Sequence, residues 1–351
     1  KRFFAPVEMS YIRWWKISEA LARLGHEVDM ATNEPDGMFR SKRTAVEMSS
    51  HLRRIPLSSV RWKDYDVIKT LFHSGFQTLE ERAGLDHSFI ISKLGSVVGP
   101  VDHEGIHFFG KVRRRLYSIQ KKINLRSKYI TLLSAPAISL WESCFGRTEN
   151  LLLVPGAADR EVPHPRSDPY PKDGWKKCLF AGNIYIKQTQ KKANEVLVQK
   201  LNLLGKHLLE RRIRLYMTGT GDARKLDHRF VRFLASVAYD QTWNHFYFAD
   251  VGVVVASGKF LHNNESSKIY HYLRAGLPVV CEQGFPNEQI IREAQLGFIA
   301  ENGNINAMVN AIEQAACKKD WDRNYAVQYI LDHHTWDHRA AIYDRLIRED
   351  R

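Results

Sequence analysis

The stretch Asn263-Asn264-Glu265-Ser266-Ser267-Lys268-Ile269-Tyr270-His271-Tyr272-Leu273-Arg274-Ala275-Gly276-Leu277-Pro278-Val279-Val280 decides how this chain is read. It opens as a polar loop, passes a serine pair suited to a helix start, runs through one short helix and turns at Gly276 into an apolar strand. Ser266 and Ser267 are placed to cap that helix, leaving free backbone N–H groups that suit a phosphate. Lys268 adds a positive charge at the same end. His271 lies one turn further along, on nearly the same face as Ser267 and Lys268. One helix end thus offers N–H donors, hydroxyls, an ammonium and an imidazole to a single anionic ligand.

Outward from this stretch, short apolar runs alternate with amphipathic segments. Residues 178–181 read as a strand ending at Gly182, and residues 213–217 as a strand ending in Thr218-Gly219-Thr220-Gly221-Asp222. Residues 251–255 and 278–281 supply two more. Toward the N-terminus, Ile17, Leu21 and Leu24 recur at helical spacing until Gly25, and residues 26–31 form the next strand. Residues 66–71, 89–92 and 151–154 look like buried parallel strands. Strands interleaved with helices indicate doubly wound α/β sheets. Pro163, Pro165, Pro169 and Pro171 crowd a segment that few helices or central strands would accept. The expected organisation is a Rossmann-like domain over 1–162, a Pro-rich linker over 163–174 and a second Rossmann-like domain over 175–332. A C-terminal segment over 333–351 follows, with Trp336, Ala340, Tyr343 and Ile347 at helical spacing.

The bulk numbers agree with two cores: 351 residues exceed the roughly 150 of one domain. A hydrophobic content of 44% with 26% charged residues is ordinary for a globular protein. No apolar run reaches the ~18 residues that span a bilayer. The first seven residues are too short and too soon polar for a signal peptide. The chain also lacks an initiator Met, so a few residues of the first strand are expected to be missing. Cys144, Cys178, Cys281 and Cys317 lie far apart, which favours reduced buried thiols and a cytoplasmic setting over disulfides or zinc. No internal repeat or low-complexity tract stands out. The net charge of +13 attracts anions: nucleotide phosphates, lipid headgroups or nucleic acid. Residues 111–122 form a basic amphipathic stretch with three open readings: a solvated helix face, an anionic membrane contact at the inner face, or a nucleic-acid contact.

The window 263–280 resembles the donor-binding helix of GT-B fold glycosyltransferases, especially the retaining glycosyltransferase family 4 / group 1. The landmarks follow in that family's order. Val154-Pro155-Gly156-Ala157-Ala158-Asp159 resembles the segment before its linker, and Phe180-Ala181-Gly182 the opening of its second domain. Thr218-Gly219-Thr220-Gly221 resembles its Gly-x-Gly turn, and Trp336-Asp337-His338 the helix that crosses back onto the first domain. The resemblance implies two Rossmann-like domains facing a cleft, with the acceptor on the first and a UDP- or GDP-linked sugar on the second. It implies donor contacts from Gly182, Lys187, Gly219, Gly221, Ser266, Ser267, Lys268 and His271. It implies catalytic roles for His103, Asp102 and Glu265, with His73 a further candidate. No Asp-x-Asp metal motif appears where a metal-dependent transferase would want one, and the resemblance implies metal-independent hexosyl transfer without a cofactor beyond the nucleotide-sugar, to a glycan, lipid-linked or other hydroxyl. In a retaining reaction the donor phosphate assists; in an inverting one a base on the first domain is needed.

The chain departs from the family's pattern at several points. The family's paired glutamates fall at Asn263 and His271, its arginine after Phe-x-Gly falls at Asn183, and its first glycine-rich loop reads Glu8-Met9-Ser10-Tyr11. Three alternatives stay open: a phage-type DNA-base glycosyltransferase, for which Trp14, Trp15 and Tyr117 beside the basic face would suit; a nucleotide-sugar epimerase or hydrolase; and a non-catalytic protein that binds glycan or nucleic acid.

Overall fold

A computed structural model describes residues 9–32, 46–101, 108, 110–147, 149–184, 191–258 and 264–349. The first half runs α1 (Met9–Arg23), β1 (Val28–Thr32), β2 (Val46–Ser49), β3 (Leu52–Pro56), β4 (Ile68–Leu71), α2 (Phe72–Ala83), β5 (Ile90–Lys93), α3 (Gly110–Arg126), β6 (Tyr129–Leu132), α4 (Ala135–Phe145) and β7 (Leu151–Leu153). Its described strands form two sheets. β4-β5-β6-β7 is parallel throughout. In the other sheet β3 lies between β1, its parallel neighbour, and β2, which runs antiparallel to it.

The second half runs β8 (Lys176–Ala181), α5 (Lys191–Glu210), β9 (Ile213–Thr218), β10 (Val231–Phe233), α6 (Tyr239–Phe248), β11 (Val251–Val254), α7 (Ser267–Arg274), β12 (Val279–Glu282), α8 (Gln289–Glu293), β13 (Gly297–Ala300), α9 (Ile305–Cys317), α10 (Arg323–His333) and α11 (Trp336–Glu349). Six parallel strands lie in the order β10-β9-β8-β11-β12-β13. Apolar runs make this possible, because β11 and β12 are buried along their whole length and a parallel sheet needs cover on both faces. One face packs Leu201, Leu204 and Leu208 of α5 and Met308 and Ile312 of α9. The other packs Trp243 and Phe246 of α6, Tyr270 and Leu273 of α7 and Ile330 of α10. The strand order reverses between β8 and β11, and in open sheets the crevice at such a switch point receives the ligand.

Residues 163–174 form neither helix nor strand, yet they are tethered: the Tyr170 hydroxyl donates to the carbonyl of His245 at 3.0 Å. α11 leaves the second half and packs Trp336, Ala340 and Tyr343 against Ile17 and Leu21 of α1 and Val154. The structure departs from the sequence reading in places. β6, β10, β13 and the β2–β3 hairpin were not anticipated, and one pairing is antiparallel. Leu24 lies beyond α1 and is 41% exposed. Cys317 is exposed and Cys144 half-buried, so only Cys178 and Cys281 are the expected buried thiols.

Candidate functional site

Two glycine-bearing loops build the floor at the switch point. The N–H of Gly182, just past β8, donates to Thr218 at 2.8 Å, and that of Ile184 donates to Thr220 at 2.9 Å. The Asn183 side chain accepts from the N–H of Thr220 at 2.9 Å. Gly219 (φ +148°) and Gly221 (φ +118°) hold left-handed backbone, and an added Cβ would sit 1.9 Å from the Gly182 oxygen and 1.6 Å from the Ile184 oxygen. These glycines are therefore required by backbone packing against backbone. The sequence reading had given them ligand contacts.

α7 starts above this floor. Ser266 occupies the N-cap position, but its side chain makes no capping bond, contrary to the sequence expectation. The Ser266 backbone is instead held by Asn287, which accepts from its N–H at 3.0 Å and donates to its carbonyl at 2.9 Å. Among the described residues the buried Ser266 hydroxyl has no hydrogen-bond partner. The Lys268 ammonium lies 5.0 Å from the centre of the Phe180 ring, and a Cβ on Gly182 would be 3.2 Å from its Cε. Among the described residues no carboxylate pairs with it. Burial pulls its pKa down to about 8. An unsatisfied hydroxyl, a cation without a carboxylate partner among the described residues and a helix N-terminus thus fall together at the start of α7, with Lys268 beside Gly182 and Ser267 opening the helix. Such a group of donors is suited to a phosphate.

Two other residues of the window do different work from that expected. Glu265 accepts from the Gly156 N–H through Oε2 and from the Tyr270 hydroxyl through Oε1 at 2.7 Å. Arg13 of α1 stands 3.8 Å from the same carboxylate. Burial raises the Glu265 pKa, while Arg13, Tyr270 and Gly156 work against that rise. With a bond on each oxygen, Glu265 ties the loop after β7 to the start of α7. His271 is 2% exposed and does not share an open face with Lys268. Its Nδ1 meets the Ser267 carbonyl at 2.7 Å and its Nε2 the Tyr239 hydroxyl at 2.9 Å, while Tyr239 donates to Asp159 at 2.9 Å. Filling these bonds at once takes one proton more than a neutral imidazole and a phenol carry. Burial nonetheless lowers the His271 pKa. His271 is thus part of a buried hinge tie to Asp159, which also lies 3.8 Å from Lys16 of α1.

Asp102, His103 and Glu104, together with Lys187 and Asn263, lie outside the described residues. His73 meets Gln120 at 3.1 Å, and Gln120 in turn bonds both backbone groups of Val98 at 2.9 and 2.8 Å. That is a loop anchor inside the first half, and burial lowers the His73 pKa. Sequence reasoning missed Tyr239, Asn287, Arg339, which donates to the Gly156 carbonyl at 3.0 Å, and Asn264, whose side chain donates across the halves to Ser96 at 3.1 Å. Only Asn264 stood inside a recognised motif.

Residues 194–336 match the family model described as Glucosyltransferase 3-like, C-terminal domain. No curated protein matches the sequence. Solved structures match over nearly the whole chain. Sucrose-phosphate synthase from Thermosynechococcus elongatus superposes with TM-score 0.71 at 16% identity, covering 97% of this chain and 93% of that one. HepE from Anabaena in complex with UDP gives 0.70 at 11%, covering 98% and 97%. WaaG, a glycosyltransferase involved in lipopolysaccharide biosynthesis, gives 0.56 at 13%, covering 97% and 92%. With this fold running through both halves and a Glucosyltransferase 3-like C-terminal model matching residues 194–336, the chain has the GT-B fold that these glycosyltransferases share.

Proposed function

We propose that the protein transfers a hexose from a nucleotide-diphosphate sugar, UDP-linked in the first instance and GDP-linked as the alternative, to a hydroxyl of a glycan or lipid-linked acceptor. The observation that carries this reading is the Lys268 ammonium standing beside Phe180 and Gly182 at the start of α7, with no carboxylate partner among the described residues. Three structural neighbours point to UDP, which supports that choice of base: HepE and a pneumococcal O-GlcNAc transferase were solved with it, and a Burkholderia xenovorans trehalose-phosphate synthase is UDP-forming.

In this reading the diphosphate lies across the N-terminus of α7. Lys268 takes up a full positive charge as the anion arrives and neutralises the charge that grows on the leaving diphosphate. Backbone N–H groups at the helix start and the Ser266 hydroxyl bind the same oxygens. Glu265 keeps the two halves in register and does not act as a nucleophile. The reaction is metal-independent and retaining, the donor phosphate assisting acceptor deprotonation. His103 and Asp102 are the acceptor-side candidates, and the protein works in the cytoplasm. The test is thermal unfolding against a panel of nucleoside diphosphates. A ligand at a hundred times its Kd stabilises the native state by about 2.7 kcal/mol. A shift with UDP or GDP alone supports the reading, and no shift with any member at millimolar concentration overturns it.

A further inference from the structure

Beneath α1, on the face of the first half that α11 covers, lies a narrow cleft lined by Arg13, Lys69, Lys93, Phe72 and Tyr343 among others. Sheet register explains how its cations meet. Lys69 pairs with Ile91 and Leu71 with Lys93, so both lysines project from one face of adjacent parallel strands. Among the described residues neither ammonium has a carboxylate partner. Lys69 lies 4.1 Å from the centre of the Tyr343 ring and Lys93 4.4 Å from that of Phe72. Arg13 stands at the end nearest the donor helix, sharing Glu265 with it at 3.8 Å. Two ammonium groups facing rings under a helix are costly unless an anion joins them. The backbone adds a second sign. Phe72 holds φ +58°, a left-handed conformation that a bulky residue adopts only under constraint and that recurs at ligand clamps.

We infer that this cavity is a phosphate subsite for the acceptor, taking a phosphate monoester on Lys69, Lys93 and Arg13. With both lysines protonated, three cations against the single carboxylate of Glu265 leave two positive charges, which match a phosphate dianion. The free room holds about one water, so the anion enters as the ammonium groups leave the rings and turn to it. Burial and the neighbouring Arg13 pull Lys69 down to about 7 and push Lys93 well down, so the anion brings protons with it. The acceptor's role rests on the transferase reading above.

The probe is inorganic phosphate, titrated calorimetrically at pH 8 into the UDP-saturated full chain and into its Lys69→Met and Lys93→Met variants. The expected result is one phosphate bound by the wild type with net proton uptake, seen by repeating the titration in buffers of different ionisation heat. Each variant is expected to lose at least tenfold in phosphate affinity while binding UDP as before. Both should fold at least as stably as wild type, because each loses an ammonium without an anion. Equal phosphate binding in all three proteins, or wild-type binding without proton uptake, overturns the inference. UDP binding with no second phosphate overturns it while leaving the transferase reading intact. Where UDP fails to bind, the transferase reading falls, and the same lysine dependence on the free protein still decides the subsite. Glucose 6-phosphate and a short-chain alkyl phosphate then separate a soluble sugar phosphate from a lipid-linked one, and a subsite that prefers neither to free glucose contradicts the assignment.

Discussion

The two halves use the same α/β grammar to different ends. The second is one unbroken parallel sheet whose glycine loops and α7 converge on a single switch point. The first divides its described strands between two sheets, one of them carrying an antiparallel edge, and buries lysines on the face turned to α1 and α11. The second half is therefore shaped at its switch point by backbone geometry, and under the reading proposed above that is where a nucleotide diphosphate would sit. The first carries its individuality in side chains, where an acceptor would be recognised. The second half should therefore tolerate no change in its loop backbone, while the first should tolerate exchange of its charged side chains.

The sharpest way to break that contrast is Gly221→Val. The new Cβ would collide with the Ile184 carbonyl in a left-handed backbone, and the expected loss is about 4 kcal/mol in urea unfolding; a loss under 1 kcal/mol would mean that the loop floor is not rigid. Next comes the tie between the halves. Tyr239→Phe strips a partner from His271 and from Asp159, and should cost about 2 kcal/mol by the same measurement. Glu265→Gln keeps the shape but loses the charge facing Arg13 and Gly156, and should cost about 1–2 kcal/mol. Restored stability with lost turnover would instead return Glu265 to the chemistry. The smallest effect belongs to the basic face of α3, where Arg114 and Lys121 are exposed. Reversing both charges should move stability by less than about 0.5 kcal/mol and leave UDP affinity unchanged in calorimetry.

Acidity sharpens the same contrast. The folded Lys268 pKa is about 8 against 10.5 for an ordinary lysine. Between these values the unfolded chain binds more protons, so this residue's contribution makes stability rise as pH climbs from about 8 toward 10. The difference between wild type and Lys268→Met, followed by unfolding at successive pH values, should therefore shrink over that window.

Much of the second half was legible because buried parallel strands read as continuous apolar runs, and residues 178–181, 213–217 and 251–255 are of that kind. Phe180-Ala181-Gly182 and Thr218 to Gly221 were legible for the same reason, since each lies at a strand end, whereas Ser266 to Lys268 was legible as a polar start to the helix α7. Short strands with mixed faces, such as β6 with its Tyr129 and Thr131, gave no such signal. Site details failed where topology rather than spacing makes the contact. Asn287 takes over the Ser266 backbone from 21 residues away, and Tyr239 reaches His271 across 32. The lysine cavity had one faint sign: a lysine standing inside or at the end of an apolar strand, at Lys69 and Lys93.

The most direct test of the central claim, that the start of α7 holds a nucleotide diphosphate, is calorimetric titration of UDP into wild type and Lys268→Met. The account predicts one UDP per chain, affinity lower by about 10- to 100-fold in the variant, and an unliganded variant at least as stable as wild type. Equal affinity in the two proteins would contradict it.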